Sequence, residues 1–318
     1  MNEQNYDVAI VGGGPAGLTS GIYARRAALK TVLIERGIPG GQIVNSDEVE
    51  NYPGFKHING AELGMKFSEH AQAYDLQTIS GEVVEIVPGS AHHTVRLADG
   101  TELKTHSVIM AMGGSPRKLN IPGEDVYYGK GVSYCAVCDG FFFKGKTVAV
   151  IGGGDSAAEE ALYLSKLAKK VYIVHRRDEL RASRLLQQRL FAECNIEILW
   201  NSIPTAVKAD DQGVNALDLK DTQTGEARTL STDGVFIFIG FNPGNQLVPA
   251  GVKLSREGYV ETDKKCETKI PGIFAVGDLR ENYARQIVIA AADGCKAALA
   301  CAHYVEAKKA EESCELPA

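Results

Sequence analysis

The chain has 318 residues, 44% of them hydrophobic and 23% charged, with 34 glycines. This is enough for two domains with separate cores, and it lacks the bias of a disordered or fibrous chain. A net charge of −6 argues against a broad phosphate-binding face, so no nucleic acid is expected as a partner, although a local basic pocket for one phosphate stays open. The first residues carry no cationic leader and no stretch approaches the length needed to span a bilayer, so the expectation is a cytoplasmic protein with no membrane contact.

Apolar runs of strand length alternate with helical periodicity, which predicts an α/β organisation with parallel sheets. The first run, residues 7–11, leads into Gly12-Gly13-Gly14-Pro15-Ala16-Gly17, a helix to about residue 30 and a short strand over 31–34. The first glycine of such a turn permits a sharp bend, the second lets backbone N–H groups reach a pyrophosphate, and the third position stays small so that helix and strand pack. Glu35 stands 23 residues after Gly12. A carboxylate there accepts hydrogen bonds from ribose hydroxyls, which suits FAD, a dinucleotide without a 2′-phosphate.

Next in the chain comes Tyr134-Cys135-Ala136-Val137-Cys138-Asp139-Gly140. A C-x-x-C pair is compatible with half a zinc site, a redox disulfide or accidental core thiols. No second pair accompanies it, because the other five cysteines, Cys194, Cys266, Cys295, Cys301 and Cys314, are scattered without ligand spacing. A redox role takes most of the weight, and no metal site is expected. Asp139 suits either a general acid or base, if burial raises its pKa, or a turn-forming residue before Gly140.

The opening pattern then repeats. Residues 147–151 lead into Gly152-Gly153-Gly154-Asp155-Ser156-Ala157, a helix to about residue 169 and a strand over 171–174. A single glycine fingerprint is weak, but two in the same βαβ context predict two dinucleotide sites. At the offset that carries Glu35 in the first copy, the second carries His175-Arg176-Arg177, with Arg181 four residues further on, within one helical turn if Asp178 onward is helical. Guanidinium groups bind phosphate through charge-assisted bonds and no acid stands there to repel a 2′-phosphate, so this copy suits NADPH.

With Gly40-Gly41-Gln42, the stretch 48–54, Phe141-Phe142 and the stretch 272–278, these motifs resemble the low-molecular-weight thioredoxin reductases of the class II pyridine nucleotide-disulfide oxidoreductases. The likeness covers essentially the whole chain. It implies two Rossmann-like domains, the NADPH domain (116–245) inserted into a discontinuous FAD domain (1–115 and 246–318), with crossings near 113–116 and 241–244. It implies that Gly12, Gly14, Pro15, Ala16, Gly17, Glu35, Arg36, Gly40, Gly41, Gln42, Asn51, Gly113, Gly277, Asp278, Arg285, Gln286 and Ile287 hold FAD. Gly152, Gly154, Asp155, Ser156, Ala157, His175, Arg176, Arg177 and Arg181 would hold NADPH.

By the same resemblance Cys138 lies nearest the flavin, Cys135 attacks the partner's disulfide and Asp139 moves the proton. The partner is thioredoxin, Phe141 and Phe142 are either a docking element or strand core, and the assembly is a homodimer. If one flavin serves both the nicotinamide and the cysteine pair, and both lie on the insert, the insert should rotate between half-reactions. Departures from the family pattern are Met112 where a threonine is usual, Glu35-Arg36 where Thr-Gly is usual, and the sequence of the second crossing. A glutathione-reductase-type enzyme is set aside, since the FAD half has no cysteine pair and His303 lacks a neighbouring proline. A dithiol oxidase, a reductase of a peroxiredoxin-type partner and a flavin-bearing redox sensor stand as alternatives.

Overall fold

Val8, Ala9, Ile10 and Val11 are all buried, and a run with no polar side chain for either face belongs in the middle of a parallel sheet covered on both sides. In the computed structural model, which describes residues 4–46, 48–211, 213–282 and 284–315, with no side-chain description for Gln4, Cys314 and Glu315, that run lies in the central strand β1. The chain divides into two units. One comprises residues 1–44, 52–115 and 242–318, and the other residues 45–51 and 116–241.

The first unit contains β1 (Gln4–Val11), α1 (Pro15–Arg26), β2 (Thr31–Glu35), α2 (Gly60–Gln72), β3 (Gln77–Ser80), β4 (Val83–Val87), β5 (His93–Leu97) and β6 (Glu102–Met110). Its sheet runs β3-β2-β1-β6-β5-β4, with β17 (Ile273–Ala275) also on β6. β3, β2, β1, β6 and β17 pair in parallel, while β4, β5 and β6 pair antiparallel. One edge of β6 is shared: β5 takes residues 102–105 and β17 takes 108–110. One face buries Ala9, Val11, Val32, Ile34, Val108 and Met110 together.

The unit ends with α6 (Ile287–Glu315), 29 residues long. Its stretch Ile287–Ser313 has the length and composition to cross a bilayer, which corrects the expectation that no stretch does. Here α6 packs along α1 and against β6, burying Ala297, Ala298, Cys301 and Val305. The approach to α1 is close: a Cβ on Gly294 would collide with the Ala16 carbonyl oxygen. Asp293 is buried with Arg280 Nη1 at 3.0 Å and Lys296 Nζ at 2.7 Å. Small residues and a compensated charge put this helix against protein on that face, while Val288 and Leu299 stay exposed.

The second unit contains β8 (Val132–Ser133), α3 (Ala136–Asp139), β9 (Thr147–Gly152), α4 (Asp155–Ser165), β10 (Lys170–Val174), α5 (Arg184–Ala192), β11 (Ile196–Leu199), β12 (Ser202–Asp210), β13 (Gly213–Asp221), β14 (Ala227–Ser231) and β15 (Gly234–Phe238). Its parallel sheet has the order β11-β10-β9-β15-β8. The period of two decides what covers it. Val148 and Val150 pack with Ala157, Ala161 and Leu164 of α4. Ala149 and Ile151 face Val207, Leu217 and Leu219 of the antiparallel sheet β12-β13-β14. At the two crossings, β7 (Gly114–Pro116) pairs with β16 (Phe241–Pro243).

Candidate functional site

After β1 the backbone turns at Gly12 with φ +105°, and a Cβ there would stand 2.5 Å from the Ala111 carbonyl oxygen. A Cβ on Gly17 would collide with the Gly12 carbonyl oxygen, so the third small position admits hydrogen alone. Gly14 is the N-cap of α1 and no side chain caps the helix there. Its first-turn N–H groups therefore point, uncovered, to where an anion fits.

Glu35 closes β2, with Oε2 accepting from Gly13 N–H at 2.6 Å and Oε1 from Gly37 N–H at 2.7 Å. A carboxylate with one bond on each oxygen keeps lone pairs for further donors. Gly40 N–H donates to Gly13 O at 2.8 Å, and the exposed Gly41 and Gln42 start a 3₁₀ turn over Gly41–Asn45.

A second turn, Gly277–Leu279, lies against the same helix end, since a Cβ on Gly277 would be 3.1 Å from Ala16 Cβ. Burial pushes its Asp278 carboxyl up to about 6, with Arg285 pulling it down and Asp293 pushing it up. Arg285 Nη2 donates to Tyr259 Oη at 2.5 Å and stacks 5.5 Å over that ring, and Gln286 precedes Ile287 at the start of α6. The fold thus gathers Gly12 to Gly17, Glu35, Gly40, Gly41, Gly277 and Asp278 around the start of α1. Arg36 is exposed near Glu82 at 4.0 Å, Gly113 has φ +59°, and Asn51 falls in the segment grouped with the other unit.

The second turn repeats the first in the other unit. Gly152 has φ +152° and Gly154 is the N-cap of α4, again with no side-chain cap and no atom within 4 Å of a would-be Cβ. At the third position Ala157 fits with its methyl buried. At the two N-cap glycines a Cβ would meet nothing closer than Gly41 Cα, 3.8 Å from Gly14, and uncapped N–H groups lie beside that space, so the residues present fit a dinucleotide pyrophosphate.

His175 is buried, with Nδ1 2.9 Å from Gly152 O and Nε2 2.8 Å from Glu179 O. Its ring spans the glycine turn and the basic loop, so its nitrogens are engaged by backbone and not presented to a phosphate. Arg176, Arg177 and Arg181 are exposed. The helical placement of Arg181 is corrected: α5 starts only at Arg184 and residues 178–183 form a loop. That loop is held by Arg181 N–H donating to Gly153 O at 2.7 Å and Ser183 N–H donating to Asp155 Oδ1 at 2.6 Å.

Cys135 and Cys138 form a disulfide in the same unit as the second turn. Cys135 is the N-cap of the single-turn α3, its Sγ accepting from Cys138 N–H at 3.2 Å. Burial holds the Asp139 carboxyl above its ordinary range, and the hydrogen bond from Ser133 opposes that. Ser133 Oγ donates to Asp139 Oδ2 at 2.5 Å and accepts from Cys135 N–H at 3.0 Å, so one hydroxyl links the cysteine backbone to the carboxyl.

Behind the pair, the buried Glu124 accepts from Tyr134 Oη at 2.8 Å and from the N–H groups of Leu119 and Asn120 at 2.8 and 2.6 Å. Sequence reasoning missed Ser133 and Glu124. A serine two residues before the motif was the one local signal for the first. Phe141 is exposed and Phe142 partly buried, in a 3₁₀ turn and not a strand. Cys266 and Cys301 are buried thiols pushed up by burial to about 11 and about 12, and the Cys314 side chain lies outside the described residues.

Two turns built for dinucleotides and one cysteine pair define an oxidoreductase that exchanges electrons with a disulfide. A family model described as pyridine nucleotide-disulphide oxidoreductase matches residues 6–294. Over 304 residues the chain is 48% identical to the thioredoxin reductase of Bacillus subtilis (strain 168), covering 96% of each. It is 44% identical to that of Listeria innocua serovar 6a, again covering 96% of each. The crystal structure of thioredoxin reductase from Streptococcus pyogenes MGAS5005 superposes with a TM-score of 0.93 at 42% identity, covering 96% of this chain and 100% of that one. The chain belongs to the pyridine nucleotide-disulphide oxidoreductase family.

Proposed function

We propose that the protein is an NADPH-dependent thioredoxin-disulfide reductase. The observation that carries this reading is the Cys135–Cys138 disulfide on α3, joined through Ser133 to Asp139 and set in the unit that holds the second glycine turn. Relatives that match 96% of the chain are named thioredoxin reductase. Bound FAD would supply the two-electron redox chemistry that links NADPH to the disulfide. The Gly12 to Gly17 turn, Glu35 and Asp278 hold FAD in the first unit, and the Gly152 to Ala157 turn with Arg176, Arg177 and Arg181 holds NADPH in the second.

The chain's own chemistry is thiol–disulfide exchange. Two electrons and two protons break the Cys135–Cys138 bond and leave two thiols, and Asp139, biased toward its protonated form by burial, supplies and receives a proton at the Cys138 sulfur. The Cys135 thiolate attacks a partner sulfur and forms a mixed disulfide. Cys138 then attacks the Cys135 sulfur, and the partner leaves as a dithiol with the original disulfide restored. Val137 and Phe141, exposed beside the pair, give the partner an apolar surface.

The cysteine pair and the second glycine turn share a unit, so one flavin would serve each of them in a separate half-reaction. We read the assembly as a cytoplasmic homodimer, with the exposed Val288 and Leu299 of α6 available for the contact.

The test is NADPH oxidation with and without oxidised thioredoxin, comparing wild type with Cys138→Ser. Wild type is expected to turn over many times with thioredoxin, while the variant's flavin still bleaches on adding NADPH but thioredoxin is not reduced. Thioredoxin reduction by the variant at the wild-type rate would overturn the reading.

A further inference from the structure

Three side chains far apart in sequence meet in the first unit. His92 precedes β5, His106 lies in β6, and Glu312 lies in the last turns of α6. Glu312 Oε1 is 3.6 Å from His92 Nε2 and 3.2 Å from His106 Nε2, and one ligand atom from each residue lies within 4.8 Å of the other two. A zinc ion with tetrahedral bonds of about 2.0–2.1 Å holds its donor atoms roughly 3.4 Å apart. Two of the three separations already match that figure. The third closes by rotation of His92, whose side chain is one-third exposed.

His106 supplies a second, independent observation. Its ring is buried, and among the described residues its Nδ1 makes no hydrogen bond. That nitrogen faces Asp7 Oδ1 at 3.6 Å, while Nε2 faces both Glu312 oxygens at 3.2 and 3.3 Å. A neutral imidazole has one N–H. Placed between two carboxylates, it meets one of them with a lone pair unless the ring is protonated or a cation lies between.

The charge around the two carboxylates says which side needs that cation. Lys309 Nζ stands 2.7 Å from Asp7 Oδ1 and Lys30 N–H donates to Asp7 Oδ2 at 2.8 Å, so Asp7 is compensated. Glu312 pairs with the two imidazoles, whose ring centroids are 4.5 Å apart, and two protonated rings at that distance repel. One divalent cation answers all three groups.

We propose that His92, His106 and Glu312 bind a borderline-soft divalent cation of the zinc class, with Asp7 orienting His106 through Nδ1–H and water completing the coordination. The ion ties the end of α6 to β5 and β6. The test titrates Zn²⁺ into the full flavin-loaded protein, with the Cys135–Cys138 disulfide oxidised and accessible thiols alkylated, so that sulfur ligands do not compete. A chromophoric chelator reports affinity and thermal unfolding reports stabilisation.

Wild type is expected to bind one Zn²⁺ per chain with a rise in Tm. His92→Ala and Glu312→Gln, whose retained flavin and NADPH turnover establish that they are folded, bind at least about tenfold more weakly and lose the Tm response. Absence of saturable binding to wild type, or wild-type affinity in either variant, overturns the proposal.

Discussion

The two glycine turns share one backbone plan and are finished with opposite polarity. In each, the side chain that closes the second strand lies against the middle glycine: a Cβ on Gly13 would meet Glu35, and one on Gly153 would meet His175. Glu35 accepts the Gly13 N–H, whereas the His175 ring faces the Gly152 carbonyl oxygen. The first turn is thereby closed by an acceptor and the second by an imidazole that also holds an arginine-bearing loop. At one position, 23 residues after the first glycine, the two copies thus carry side chains of opposite character on the same strand–turn–helix plan. The third small position differs as well, since Gly17 lies on the Gly12 carbonyl while Ala157 has room for its methyl.

The largest effect should come from forcing the first turn to resemble the second. Gly17→Ala drives a methyl into the Gly12 carbonyl oxygen and is expected to cost about 3 kcal/mol, the upper end for overpacking, and to give protein purified without flavin. The reverse change, Ala157→Gly, costs about 1 kcal/mol through helix propensity. Flavin absorbance per chain and urea unfolding measure both, and equal losses would erase the distinction.

A smaller effect separates recognition from support in the second copy. Arg176→Ala is expected to lower kcat/KM for NADPH by about 10- to 100-fold and for NADH by less than about twofold, since the lost charge-assisted bond is worth about 1.5–3 kcal/mol. His175→Ala should lower both by about tenfold, because it loosens the turn and the loop that either nucleotide uses. Selective loss of NADPH in the His175 variant would make its ring a phosphate ligand.

The smallest effect concerns pH. The Asp278 carboxyl sits near 6 in the folded chain against about 3.9 unfolded. Between those values the native state binds more protons, so the stability of flavin-free protein falls as pH rises from about 4 to about 6. Asp278→Asn removes that slope. It should melt higher than wild type at pH 7, with little gain at pH 4. Thermal melts at the two pH values check this, and the same gap at both would contradict it.

What was legible in the sequence was local. The glycine turns, the Glu35 and Arg176 offsets and the cysteine pair each occupy a short window in which residue type dictates backbone and chemistry. Ser133 and Glu124 were not legible, because their roles depend on where Asp139 and Tyr134 come to rest after folding. Residues 178–183 carry helical spacing, yet backbone bonds to Gly153 and the Asp155 cap keep them in a loop. The length of α6 was hidden by its alanines, Gly294 and charges, whose meaning is close packing on α1. His92, His106 and Glu312 come from three separated segments, and no spacing rule joins them.

The shared edge of β6 also sets an order of assembly. Residues 116–241, which form the parallel sheet of the second unit, are contiguous in the chain and complete as soon as they leave the ribosome. The first unit waits. Val108, Ile109 and Met110, all fully buried in the finished protein, lack their β17 neighbour until Ile273–Ala275 is made. During synthesis the younger unit closes first, and the older one is held open by the very segment that separates its two halves.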